Sequence, residues 1–321
     1  MIRWITPARP RHADHRRRRP ALRWGLESLE GRALLSLPSV DVPATITSPP
    51  VQFRGALYFS AYDPGHGDEL WRSDGSTANL VADINPGSGN SSPRNLTVVG
   101  DTLFFTANDG ASGIELWKSD GTAGGTALVK DVYPGPIGSY PQNLTNFNGT
   151  LFYSAFDPSG GYELFRSDGT AGGTNMVKDI NPGYIGSFPQ DLTVVGTRLY
   201  FAANDGANGT ELWSTDGTAD GTSMVADIDP GPNGSYPAGL TAVGDTLYFA
   251  AYDPTHGDEL WEASPGSGAS MVADLNPGPD GSYPAYLTVV GDTLNFLAYD
   301  PSHGYAPWQV SPGSGATRRN S

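Results

Sequence analysis

Three histidines lie outside the basic N-terminal arm, and all three occupy one phrase, Asp-Pro-x-His-Gly. The phrase holds Asp63 and His66, Asp253 and His256, and Asp300 and His303. Imidazole changes charge near neutral pH, so a group of such side chains can bind a ligand in a pH-dependent way. These six residues form one candidate binding patch. The plainer reading is a harmless turn residue copied when the unit was duplicated. A three-histidine zinc site is disfavoured, because equivalent loops of neighbouring units stand too far apart for ligands at ~2 Å.

Carboxylates at the matching place in the other units are the second candidate chemistry. Asp109, Asp157 and Asp205 are each followed by glycine within a few residues. Carboxylates and turn carbonyls suit calcium. Yet no Asp-x-Asp-x-Asp-Gly loop is present, and Asp with Gly is also what tight turns use. The metal assignment stays open with calcium the ion considered, and no other cofactor is expected. No acid/base pair stands out from the background, and there is no Ser-His-Asp spacing or phosphate loop.

These residues ride on a repeat. Glu69-Leu70-Trp71 recurs as Glu115-Leu116-Trp117, Glu163-Leu164-Phe165, Glu211-Leu212-Trp213 and Glu259-Leu260-Trp261, with a degraded copy at Ala306-Pro307-Trp308. The steps are 46, 48, 48, 48 and 47 residues. Each unit carries four strand signals. Leu192 to Gly196 gives the first, and Leu199 to Ala203 the second, with apolar residues on alternate positions. Glu-Leu-Trp is the third, and Val177 to Ile180 exemplifies the fourth. Turn pairs such as Asn148-Gly149 and tight turns such as Ser119 to Thr122 separate them. Three tight hairpins and one long link per unit describe a four-stranded antiparallel meander, the blade of a propeller.

The spacing predicts an all-β, six-bladed β-propeller over 37–311. The fourth strand of the last blade runs out at Thr317-Arg318-Arg319, while Val40-Asp41-Val42-Pro43 echoes Val129 to Pro134. The segment from Leu37 to Val42 is therefore expected to supply the outer strand of the last blade and close the ring. Residues 1–36 read as a basic, disordered sorting arm, and 312–321 as a short tail.

The Glu-Leu-Trp and Ser-Asp-Gly-Thr residues carry a resemblance. Trp117 to Thr122 and Trp213 to Thr218 match the ELWxxDGT, or hyalin-like, repeat family of large bacterial extracellular proteins. Leu26 to Ser36 resembles the LEPR-XLL motif found near the start of many bacterial surface proteins, with Gly31 in place of its proline. The resemblance implies an extracellular repeat module that binds or adheres, and it covers roughly Gly55 to Trp308. No defined activity travels with it.

Charge narrows the partners. The chain of 321 residues carries −15, and nine of its nineteen basic residues fall before position 33. The remainder holds ten bases against thirty-one acids, so it repels nucleic acid phosphates. No apolar stretch reaches the length of a membrane span, and cysteine is absent. The loops between strands two and three and the links between blades are expected on one face. There Tyr140, Phe188, Tyr236 and Tyr283 offer either stacking platforms for sugars or, as the repetition favours, packing between blades. The leading expectation is a monomeric, secreted or cell-surface, non-catalytic module for a glycan or protein ligand. The alternatives are a carbohydrate-active hydrolase or lyase using loop-face carboxylates, and a ligand-free scaffold.

Overall fold

The computed structural model describes residues 44–319. Within that span every regular element is a strand. The strands form six antiparallel sheets, five of them four-stranded meanders in chain order and that of blade one with Thr45–Ile46 added beside Ala56–Asp63, and the architecture is a six-bladed β-propeller. Blade three shows the plan with Gln142–Phe147, Thr150–Asp157, Gly161–Ser167 and Asn175–Lys178. The first strands of successive blades lie beside one another, which makes them the inner strands. No helix among the described residues is long and apolar enough to cross a membrane.

Period-two alternation gives each blade two apolar faces. In blade three, Phe152 and Leu164 join the cluster shared with blade four. Leu151, Tyr153, Ala155 and Phe165 join the cluster shared with blade two. Five such clusters join consecutive blades. Burying each large side chain there contributes about 1.5–3 kcal/mol. The sixth cluster, Phe59, Ala61 and Trp71 with Ala44 and Ile46, stays within blade one and its leading segment.

The Glu-Leu-Trp and Asp-Gly-Thr residues are structural. Glu163 is buried, and its Oε1 accepts the N–H groups of Asn181 at 3.0 Å and Ser187 at 2.9 Å. Its Oε2 accepts the Ser187 hydroxyl at 2.5 Å. The carboxylate thus ties the third strand to the link that follows, and burial pushes its pKa above the usual carboxylate range. Glu69, Glu115, Glu211 and Glu259 repeat the latch. In the turn, Asp168 Oδ1 accepts from the N–H and hydroxyl of Thr170, and Lys118 of the preceding blade donates to the Gly169 carbonyl at 2.7 Å. The repeat phrase rivets blades together.

The last blade corrects one expectation. Its outer strand is Thr317–Arg318, paired antiparallel to Gly304–Val310, so residues after 311 belong to blade six. The segment 37–42, expected there, lies outside the described residues. The segment that is described, Thr45–Ile46, pairs with Ala56–Asp63 of blade one. It extends that blade's own inner side and contributes nothing to blade six.

Candidate functional site

The turn between strands two and three begins with an aspartate in blades one, three, five and six. In blade six, Asp300 Oδ1 accepts the N–H groups of Ser302 at 2.8 Å and His303 at 3.0 Å. The His303 ring then folds back, with Nδ1 at 2.9 Å from the same oxygen. His66 meets Asp63 and His256 meets Asp253 in the same way, each at 2.9 Å. A carboxylate can only accept, so Nδ1 carries the proton and Nε2 is left outward. The rings are partly exposed while the carboxylates are nearly covered. The Asp300 carboxyl lies below the usual range: burial works against its charge, and the bond from His303 with the two turn N–H groups outweighs it. The hydrogen bond that His66 donates to Asp63 pushes its pKa up, and the bond that His256 donates to Asp253 does the same.

Asp109, Asp157 and Asp205 use their carboxylates in the same turn-closing way. Asp109 accepts the N–H groups of Ala111 and Ser112, Asp205 those of Ala207 and Asn208, and Asp157 that of Ser159. Among the described residues, no three His, Asp or Glu side chains come together in a group that could hold a metal ion.

Two of the histidine pairs are drawn towards a shared neighbour. Asp274, at the end of the outer strand of blade five, helps to raise His256 through its charge. Asp274 also lines a recess of about 510 Å³ together with Asp300, His303, Trp308 and Arg318. Two carboxylates, an imidazole and a guanidinium therefore surround one space between blades five and six. His66 has Asp83 and Glu69 as its charged neighbours. The sequence pointed to His303 and Asp300 but missed Asp274 and Arg318. Asp274 repeats as Asp83, Asp131, Asp179 and Asp227, which hid it. Arg318 stood in a stretch read as tail.

The inner strands hold a second recess of about 330 Å³, lined by Asn143, Thr145, Asp191, Thr193, Gly239 and Thr241. The inner strands of blades two to six each carry a bulge whose extra residue is left-handed: Asn95, Asn143, Asp191, Gly239 or Tyr286. These positions differ from blade to blade, and only Asp191 is acidic. In blade one, buried Asp68 accepts from Arg94 at 3.1 Å and from Ser60 at 2.5 Å, and Asp258 holds the matching place in blade five.

The repeated aromatics do not pack between blades, as their repetition had suggested. Tyr140, Phe188, Tyr236 and Tyr283 are 40–64% exposed. All four have positive φ, near +50°. The cause is local. In blade three the N–H groups of Ser187 and Phe188 both donate to the Tyr162 carbonyl, at 2.8 and 3.0 Å, and this double bond turns Phe188 outward.

No protein-family model matches the chain, and no curated protein matches it. Solved structures do. A puromycin hydrolase, crystallised as the S511A mutant with PGG, matches at 15% identity and a TM-score of 0.47, covering 84% of this chain and 44% of that one. A puromycin-hydrolyzing peptidase of Mycobacterium tuberculosis matches at 12% identity and TM-score 0.46, covering 88% and 46%. The GH74 enzyme of Niastella koreensis matches at 13% identity and TM-score 0.44, covering 87% and 46%. The chain thus spans less than half the length of these proteins. Identities this low speak to the fold alone, and no residue role is carried over. The expectation of a non-catalytic adhesion module is corrected to this extent: these three matched structures are two puromycin-hydrolysing proteins and a GH74 enzyme, and none of the three is an adhesion module.

Proposed function

We propose that this propeller serves a carbohydrate-active enzyme, a hydrolase, with its reacting centre at the recess between blades five and six. The single observation that carries the reading is the set of groups around that space: Asp274, Asp300, His303 and Arg318. Glycoside hydrolysis needs one group that gives a proton and one carboxylate that activates water. Protonated His303, held by Asp300, is the acid. Its Nε2 proton goes to the glycosidic oxygen as the bond from that oxygen to the anomeric carbon breaks. Asp274 is the base: it takes a proton from the water whose oxygen bonds to the anomeric carbon. Solvent then returns His303 and Asp274 to their starting states. Arg318 fixes sugar hydroxyls, and Trp308 walls the recess.

The acidic body favours a neutral glycan over an anionic one. The resemblance to extracellular bacterial repeats and to the LEPR-XLL motif supports action outside a bacterial cell.

Release of reducing ends from neutral polysaccharides tests the reading. His303→Asn and Asp274→Asn should each lower kcat by about 10² or more with an unchanged melting temperature. Full activity in both variants, or no release from any neutral polysaccharide by the unaltered protein, would reject it.

A further inference from the structure

Blade three departs from its sister blades in aromatic content, and the departures cluster. Tyr184 stands where the other links have Pro136, Pro232, Pro279 or Ser88. Tyr133 stands where they have Asn85, Asn181, Asp229 or Asn276. Phe156 and Tyr162 are cross-strand partners at the turn, as Tyr299 and Tyr305 are in blade six, whereas blade two has Asn108 and Ile114 there and blade four has Asn204 and Thr210. Blade three alone adds Tyr184 and Tyr133 around such a pair.

These rings touch. Phe156 meets Tyr133, Tyr162 and Tyr184 edge to face, with centroids 5.3, 5.4 and 5.0 Å apart. Tyr162 stacks on Phe188 at 5.0 Å with 25° between planes. The surface is open: Tyr184 is 72% exposed and Phe188 45%.

The support beneath is rigid. Gly186 bridges to Tyr162, and a Cβ there would lie 2.3 Å from the Tyr162 nitrogen, so the link is clamped flat on the third strand. Phe188 is held left-handed by the two N–H bonds to the Tyr162 carbonyl. A bulky residue keeps such a conformation only where its surroundings impose it. The rings are therefore presented before any ligand arrives, which lowers the entropy cost of binding.

We propose that this cluster is a stacking platform for the pyranose rings of a neutral glycan chain, a distal subsite for the substrate; the assignment rests on the reading of the protein as carbohydrate-active. Tyr162 covers one face of Phe188, while the exposure of Tyr184 and Phe188 leaves ring surface open to solvent. A ring face carries partial negative charge and attracts the polarised C–H groups on the flat side of a sugar. The body outside the basic arm holds thirty-one acids against ten bases, which disfavours anionic polymers. An apolar protein partner would strip water from the Asp157 carboxylate, which has acceptor capacity beyond its bond from Ser159, whereas sugar hydroxyls can bond it.

Calorimetric titration of the full chain with cellohexaose and chitohexaose tests this. At least one probe should bind, and Tyr184→Ala with Phe188→Ala should weaken it about tenfold or more. Tyr184→Phe should bind as the unaltered protein does, because stacking needs the ring and not the hydroxyl. The double variant should raise KM for the hexasaccharide and leave kcat alone. Equal affinity in the double variant, or no binding of either probe by the unaltered protein at millimolar concentration, would overturn the platform. Probe binding lost in the double variant, with no cleavage by any form, would uphold the platform and reject the hydrolase.

Discussion

Arg319 donates from Nη1 to Asn295 Oδ1 across 3.1 Å, on the face of blade six that looks away from blade five. Every other blade is apolar at both positions. Asn295 replaces Tyr58, Phe104, Phe152, Tyr200 or Tyr248, and Arg319 replaces Val81, Val129, Val177, Val225 or Val272. Pro307, exposed, replaces a leucine that is fully buried in each of the other five. Val290 is 65% exposed where Val99, Phe147, Val195 and Val243 are buried. Among the described residues, no apolar cluster joins blade six to blade one. A polar face of this kind keeps soluble a side of a repeat that no apolar neighbour covers.

Restoring the repeat should therefore make the face sticky. Asn295→Phe with Arg319→Val is expected to self-associate with rising concentration, through a heterologous contact that does not close. Sedimentation velocity checks this, and a monomer at all concentrations would count against that role.

The Glu latch sets a pH dependence. Burial raises the pKa of Glu163 above its unfolded value. The stabilisation linked to its protonated form is fully present below the unfolded value, and is lost as pH rises through the raised one. Glu163→Gln should flatten that part of the curve of melting temperature against pH. Glu163→Ala should cost several kcal/mol, because it orphans the buried N–H and O–H of Ser187 at about 1–3 kcal/mol each. Thermal melts between pH 4 and 8 read both.

The blade tryptophans are there for bulk. Nε1 of Trp71, Trp117, Trp213, Trp261 and Trp308 is buried without a hydrogen-bond partner. Blade three already uses Phe165 at this place. Trp213→Phe should thus be mild, and Trp213→Ala should cost about 3–5 kcal/mol by leaving a cavity between blades three and four. Urea unfolding of the two variants separates bulk from hydrogen bonding.

The histidine pairs make a separable spectroscopic prediction. The bond that His256 donates to Asp253 is the first cause of its raised pKa, with Asp274 a lesser one through charge. Asp253→Asn should lower it most and Asp274→Asn less, by NMR titration. The stability linked to this raised value is present below the ordinary histidine range near about 6.5 and fades as pH rises through the raised value. No change at His256 in Asp274→Asn would separate the two and remove Asp274 from the shared site.

The blades were legible because they rest on local rules. Strand alternation, turn residues and a fixed step are written within about 48 residues, so Glu69, Leu70 and Trp71 announce their roles five times over. The Asp-Pro-x-His-Gly turns were legible as positions, but not the Nδ1 contact that turns Nε2 outward. Arg318 was misplaced because a two-residue strand carries almost no signal of its own. The echo of Val129 to Pro134 near position 40 pointed to a closing strand at 37–42, outside the described residues, while Thr317–Arg318 pairs on the outer side of blade six.

The sequence by itself determined that this is a ring-type array of six meander blades with an acidic body, because a repeated local pattern admits few packings. Only the tertiary structure decided which copies matter. Asp274 and Arg318 share a recess with His303 although strands from two blades separate them along the chain. Phe188 is exposed rather than packed because two hydrogen bonds to one carbonyl turn its backbone left-handed. Contacts between residues far apart in the chain, and the backbone twist they impose, leave no trace in a repeat read one unit at a time.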